Sequence, residues 1–268
     1  MLAYPQIDPI IFQVGPLAVR WYGLMYVLGF LAAYFLVRYQ FRRYPHPGLE
    51  KNFDSLNLVL ILSLILGSRL GYVLFYNFSY YIQHPLEIFA TWQGGMSFHG
   101  GLLGLVVGGW IFCRVRGLAF LRSADAYAVA VPIGLGLGRL GNFINGELYG
   151  RVSDVPWAMV FPDGGPLPRH PSQLYESFLE GLVLFVIMWF TMRLYWRRRW
   201  PAGRLTAVFL LGYGTMRFLV EFFREPDAHL GLMLGLFSRG QLLSALMIAA
   251  GAVLWLLVSR RRSSLAGG

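Results

Sequence analysis

Long apolar runs constrain this chain more than any other feature. Windows of about twenty apolar residues match the roughly 30 Å hydrocarbon core of a bilayer. Such windows fall near 18–37, 55–76, 97–115, 124–143, 173–194, 204–223 and 240–259. The second, fifth and seventh ("SLNLVLILSLILGSRLGYVLFY", "LEGLVLFVIMWFTM", "LLSALMIAAGAVLWLLV") are unambiguous, whereas the fourth and sixth carry glycines and charges. A single soluble core cannot absorb a chain that is 56% apolar and 13% charged. The expected fold is an all-α polytopic membrane protein with seven transmembrane helices.

Basic residues orient those spans. Arg38, Arg42, Arg43, Lys51, Arg114, Arg116, Arg122, Arg193, Arg197, Arg198, Arg199, Arg204, Arg260, Arg261 and Arg262 fall between or after spans on one side. The other side holds only Arg151, Arg169, Arg224 and Arg239. By the positive-inside rule the first group is cytoplasmic, with the N-terminus outside and the C-terminus inside. The first sixteen residues contain no Lys or Arg and so lack the n-region of a cleavable signal peptide. The net charge of +10 then reflects topology, and the Arg triplets at 197–199 and 260–262 read as anchors on an anionic leaflet rather than a nucleic-acid surface. The lone Cys113 excludes an internal disulfide and reads as structural.

No internal repeat is visible, so residues 1–268 read as one transmembrane domain. Residues 144–172, rich in Gly, Pro and Asp, are too long for a simple turn and are expected to form a small external cap between helices four and five. Residues 77–96 mix aromatic and polar side chains in the manner of an interfacial anchor.

Arginines inside spans are costly and normally face a bundle interior or a wet cavity. Arg20 and Arg69 are as well explained by anchoring or helix packing as by function. Arg139 lies in "GRLGNFINGELYGR", where Gly134, Gly138 and Gly141 form one helical stripe suited to close packing. Arg139, Asn142 and Gly146 form a second stripe, in which Asn142 supports Arg139 at i+3, Gly146 leaves open space, and Glu147 is close enough to pair with a cation. A buried polar knot that fixes helix packing would also explain one Arg and one Asn. In "GYGTMRFLVEFFREPD", Tyr213, Arg217 and Glu221 share a face. Arg before Glu is the weaker helical ion-pair order, which implies further partners for both. His99 opens span three in "GGMSFHGGLLGLVVGG", above Gly101, Gly104 and Gly108, and Tyr22 opens span one. "RHPSQLYE" adds His170, Gln173, Tyr175 and Glu176 at the same depth, with Ser172 as a possible helix cap.

Cations, amides, carboxylates and an imidazole thus gather at the outer third of the membrane, where lipid phosphates lie. Two guanidiniums suit a phosphate, since each can donate two parallel hydrogen bonds. No GxxxxGK[ST] loop is present, so the phosphate is better sought in a lipid than in a nucleotide triphosphate. No Cys or His cluster has metal-ligand spacing, and no cofactor is expected.

The motifs "GGMSFHGGL", "GRLGNFINGELYGR", "RHPSQLYE" and "YGTMRFLVEFFREPD", in that order, closely resemble those of the bacterial prolipoprotein diacylglyceryl transferases, from "RWYGLMY" to the end of span six. Tyr149 departs from the family's frequent Trp while keeping an aromatic ring. The resemblance implies a seven-helix enzyme of the bacterial inner membrane that faces the periplasm. Its reaction would move diacylglycerol from phosphatidylglycerol to the lipobox cysteine of a prolipoprotein signal peptide, forming a thioether and releasing glycerol phosphate. Fixed cations would stabilise the departing phosphate. On that reading Arg139 and Arg217 are catalytic, Asn142, Asn145 and Gly150 shape the headgroup site, and Glu147 and Glu221 orient the arginines. His99 is the candidate base, with Tyr22, Tyr213 or a carboxylate as alternatives. The rival readings are a membrane transporter with an outward-facing anion or headgroup site and an intramembrane serine protease built on Ser97 and His99. The second is a poor dyad, because residues two apart on a helix diverge.

Overall fold

The computed structural model of the chain describes residues 2–15, 17–46, 48–91, 94–225 and 238–266. Trp92 and Gln93 of the aromatic stretch, Pro226 and Asp227 of the sixth-span motif, and the side chains of Arg261 and Arg262 lie outside the described residues.

A hairpin that the apolar windows do not anticipate precedes the helices. Strand β1 (Ile10–Val14) pairs antiparallel with β2 (Leu17–Arg20) beside Gly15 at φ 57°, and α1 (Trp21–Arg43) follows directly. The first helix therefore begins at Trp21, because residues 17–20 give their backbone groups to the ladder. Among the described residues five helices are long and apolar enough to cross a membrane: Trp21–Arg43, Glu50–Phe75, Phe98–Val115, Ser172–Arg197 and Arg239–Arg260. Helices α5 (Phe120–Ala128) and α6 (Val131–Ile144) make a sixth if their 47° bend lies within one span. Pro132, in the first turn of α6, lacks the amide that would continue the preceding helix. Helix α9 (Arg204–Val220) covers the expected sixth window with 17 residues, about 25 Å of helix against a core of roughly 30 Å. The chain is an α-helical, multi-pass membrane protein.

Packing divides it into two units, Pro45–Ser123 and Met1–Tyr44 with Ala124–Gly268. In the first of these, α2 (Phe53–Phe75) lies against α4 (Phe98–Val115) through small residues. A methyl group on Gly71 would sit 2.7 Å from the Gly100 Cα, and one on Gly67 would sit 2.8 Å from the Gly104 Cα. Gly101, Gly104 and Gly108 all turn toward α2, as the stripe below His99 requires. Ser97 caps α4 by accepting the Gly100 amide at 3.2 Å. Cys113 is buried, its thiol 3.7 Å from the Ser123 hydroxyl.

Arg69 is held by four backbone carbonyls. Its Nε donates to Ile88 O (2.7 Å), Nη1 to Gly94 O (2.7 Å) and Gly95 O (3.1 Å), and Nη2 to Glu87 O (2.6 Å). The guanidinium also lies 5.1 Å from the Tyr81 ring centroid. It thereby fastens the connection that follows α3 (Phe78–Gln83) onto α2. Arg69→Ala is expected to cost at least about 2 kcal/mol, since several charge-assisted bonds go at once. Arg69→Lys should recover little of this, because one ammonium lacks the planar fork. Thermal unfolding in detergent measures both, and an unchanged melting temperature in Arg69→Ala would refute the fastening role.

In the second unit, α6 packs on two neighbours through different glycines. Methyl groups on Gly29 and Gly141 would lie 3.1 Å from the Gly134 Cα and 2.9 Å from Tyr22 Cδ2, which joins α6 to α1. On its other side Gly136 meets Gly181, 2.7 Å from the latter's methyl position. Gly138 faces open space, so the small-residue stripe is not continuous. Gly181 lies in a π-helical stretch, Ser177–Val183, between α7 (Ser172–Glu176) and α8 (Leu184–Arg197). Helices α9 and α10 (Arg239–Ala266) pack at Gly214 and Gly251. Buried Asp125 of α5 accepts from the amides of Gly203 (2.7 Å) and Thr206 (2.8 Å) and from Thr206 Oγ1 (2.8 Å). It thus caps α9, whose own N-cap, Gly203, has no side chain to do so.

Candidate active site

Three arginines and three glutamates from four segments meet within this unit. Helix α6 supplies Arg139, α7 and the π-helical stretch supply Glu176 and Glu180, α9 and its C-cap supply Arg217 and Glu221, and Arg224 follows three residues later. Glu176 Oε2 is the common point: Arg139 Nε lies 2.7 Å from it, Arg217 Nη1 3.0 Å and Arg224 Nη1 3.8 Å. Arg217 also reaches Glu221 Oε2 at 2.7 Å through Nη2, with Glu180 Oε1 3.8 Å from Nη1. Glu221 in turn accepts the Ser238 hydroxyl at 2.8 Å. The expected partners beyond the i,i+4 pair are therefore Glu176 for Arg217 and Ser238 for Glu221.

Burial separates the two signs of charge. Glu176 and Glu180 side chains are 0% exposed, whereas those of Arg139, Arg217 and Arg224 are 20%, 12% and 15% exposed. The carboxylates form the floor, and the cations are the part that solvent or a ligand can touch. One carboxylate oxygen cannot satisfy three guanidiniums. Three partly exposed guanidiniums gathered on one carboxylate oxygen carry more N–H donors than it can accept, which suits a multi-oxygen anion such as phosphate.

The end of α6 is built by its sequence. Gly146, at φ 70°, and Glu147 donate their amides to Phe143 O (3.0 Å) and Asn142 O (3.1 Å), a Schellman closure. The same turn brings side chains together. Asn142 Nδ2 donates to Glu147 Oε1 at 2.8 Å, Asn145 Nδ2 to the same oxygen at 3.2 Å, and Arg139 Nη1 to Asn142 Oδ1 at 3.4 Å. The next residue, Leu148, sits at φ 58°, an uncommon conformation for a branched side chain. Gln173 Nε2 pins it through Glu147 O (2.7 Å) and Ser172 Oγ through Leu148 O (3.2 Å).

Residues 144–172 fold over these ends around Phe143, Met159 and Phe161. Gly150 gives its amide to His170 O at 2.8 Å and bridges Arg224, leaving a methyl group only 2.8 Å from His170. His170 lies against the Tyr175 hydroxyl, 3.0 Å from Nδ1, and that hydroxyl also accepts Trp157 Nε1 at 2.6 Å. Partial burial pushes the His170 pKa down, which favours the neutral ring at neutral pH. Among the described residues no group of three His, Cys, Asp or Glu side chains is placed to hold a metal.

A family model described as prolipoprotein diacylglyceryl transferase matches residues 9–257. The chain belongs to the prolipoprotein diacylglyceryl transferase family. It is 58% identical over 253 residues to a phosphatidylglycerol–prolipoprotein diacylglyceryl transferase of Desulfotalea psychrophila, covering 94% of this chain and 93% of the relative. Against proteins of the same name from Geobacter sulfurreducens and Bordetella avium the identities are 56% over 264 residues and 53% over 265, covering 97% and 98% of this chain and 99% of each relative.

In this member of the transferase family, Arg139, Asn142, Asn145, Glu147, Arg217 and Glu221 fall within the network just described. Tyr213 lies one turn before Arg217 and stacks on Phe209 with centroids 5.8 Å apart. Tyr22 packs over Gly141, its hydroxyl 3.1 Å from that of Tyr26. His99 belongs to the other unit, exposed in the first turn of α4 beside the Phe98 ring. Five local expectations change. Gly146 is a turn residue backed by Pro162 and Tyr4 rather than open space, and Glu147 takes amides rather than a cation. Ser172 fastens Leu148 instead of capping its helix, whose N-cap is Pro171 without a side-chain bond. The carboxylate that orients both arginines is Glu176, which the sequence places only near a helix start. Arg224, counted as a loop charge, is the third cation. The i,i+4 spacing of Glu176 and Glu180 under an apolar span was the available signal for this acidic floor.

Proposed function

We propose that this protein transfers the diacylglyceryl group of phosphatidylglycerol to the lipobox cysteine thiol of a prolipoprotein, releasing glycerol phosphate. The observation that carries the reading is the convergence of Arg139 and Arg217 on one buried carboxylate oxygen, with both arginine side chains partly exposed where a lipid phosphate could reach them. The thiolate attacks the glycerol carbon, an S–C bond forms, and the C–O bond to phosphate breaks with its electron pair leaving on glycerol phosphate. The guanidiniums meet the charge that grows on that oxygen. Asn142, Asn145 and Gly150 shape the headgroup site, Glu221 orients Arg217, Glu147 steadies Asn142, and Tyr22 and Tyr213 line the approach. The seven apolar windows support seven crossings by a single transmembrane domain, the basic-residue asymmetry supports an external N-terminus with 144–172 as a periplasmic cap, and family membership supports a bacterial inner membrane. Family membership favours this over the transporter reading.

The test is direct: purified protein given phosphatidylglycerol and a lipobox peptide should release glycerol phosphate and shift the peptide's mass by one diacylglyceryl group. No release would overturn the proposal. His99 is assigned the thiol proton. His99→Gln is expected to slow turnover about 10²-fold or more near neutral pH, with partial recovery as pH rises toward ~8.5, where the peptide thiol ionises unaided. Unchanged turnover in a pH-resolved assay would move the role to Tyr22, Tyr213 or a carboxylate.

A further inference from the structure

We propose that the segment ahead of the hairpin, residues 2–9, is a working part of the site, with Tyr4 as a positioning residue for Asn142 and Glu147; this rests on the phosphate reading above. Tyr4 lies 139 residues from Phe143 in sequence, yet its hydroxyl donates to Phe143 O at 2.7 Å and reaches Ile144 O at 3.1 Å. Both carbonyls lie in the last turn of α6, where Phe143 O also accepts the Gly146 amide that closes the turn and Ile144 O is one of the helix-end acceptors. The phenol ring is held in place by Phe143 and Phe161, at centroid distances of 5.4 Å and 5.1 Å. Two residues earlier the Leu2 amide donates to Ala158 O at 3.1 Å, tying the same segment to the cap. At its far end Pro9 O accepts the Trp21 amide at 3.1 Å, at the start of α1.

The hydroxyl therefore acts on the turn that sets the Asn142–Glu147 pair. Gly146 closes that turn with the Tyr4 oxygen only 3.3 Å from where its Cβ would be. Without the hydroxyl, Ile144 O loses a donor and the Schellman turn gains freedom. Asn142 then stops presenting a fixed Oδ1 to Arg139, although the cap keeps its aromatic core.

Tyr4→Phe keeps the ring and removes only the hydroxyl. We expect kcat/KM for phosphatidylglycerol to fall about fivefold, the worth of one net hydrogen bond, with the melting temperature within about 2 °C of wild type. Adding Tyr4→Phe to Asn142→Ala should then cost nothing further in turnover or in affinity for phosphatidylglycerol micelles, because the two act on one element. Tyr4→Ala, which also removes the ring, should lower the melting temperature. Wild-type kcat/KM in Tyr4→Phe, additive losses in the double variant, or a Tyr4→Phe melting loss equal to that of Tyr4→Ala would each overturn the inference. Wild-type turnover in both Asn142→Ala and Arg139→Ala would instead overturn the phosphate reading beneath it.

Discussion

Arg139→Ala and Arg217→Ala are each expected to abolish release of glycerol phosphate, a loss of about 10³-fold or more, while the protein still folds in detergent. Removing a single oriented donor from a developing oxyanion costs about 10²- to 10³-fold in comparable sites, and each substitution removes a charged, forked donor. Each guanidinium also does two jobs that an ammonium cannot combine. Arg139 holds Glu176 through Nε at 2.7 Å and Asn142 through Nη1 at 3.4 Å. Arg217 spans Glu176 and Glu221 through separate nitrogens at 3.0 Å and 2.7 Å. Arg139→Lys should therefore fail nearly as badly as Arg139→Ala. Turnover and thermal unfolding measured on the same preparations separate chemistry from folding. Retained turnover in both alanine variants would remove the arginines from the reaction.

Glu176→Ala should produce the largest loss of stability of any single change in the site. It removes the one carboxylate oxygen within 3.8 Å of all three guanidiniums. Breaking a buried ion pair from one side costs about 3–5 kcal/mol, because the remaining charge is left without its partner. Three mutually repelling cations put this case toward the upper end. Glu176→Gln keeps the shape and one acceptor oxygen, so it should fold better than Glu176→Ala while losing most turnover, as the two arginines are no longer held at one point. Chemical or thermal unfolding of the pair, set beside kcat, checks this. Equal stability of Glu176→Ala and wild type would mean that the floor of the site does not organise its cations.

These expectations depend on contacts between residues remote in sequence, and there the limits of reading the chain alone are plain. Helical spacing placed Asn142 beside Arg139 and Glu221 beside Arg217, because i+3 and i+4 neighbours share a face whatever the tertiary context. It could not rank the carboxylates. Glu147 is closer in sequence to Arg139, yet the tight turn at Gly146 folds Glu147 back onto the amides of Asn142 and Asn145, and Glu176 takes the cation instead. Arg69 and Arg139 both lie within apolar windows, and the motif around Arg139 singled it out. Their partners differ: four backbone carbonyls hold Arg69, whereas Arg139 meets a carboxylate and an amide and its side chain stays 20% exposed.

The sequence by itself determined that the chain lives in a bilayer, that its polar residues gather near helix ends, and that four ordered motifs mark one enzyme family. Those properties follow from apolar length, from helical periodicity and from residue identity, all of which are local. Only the tertiary structure decided that Glu176 is shared between Arg139 and Arg217, that Asp125 caps a helix beginning about eighty residues later, and that Tyr4 closes the end of α6. The reason is physical: buried polar groups must find partners, and which distant segment supplies them depends on how glycine-to-glycine contacts bring the helices together.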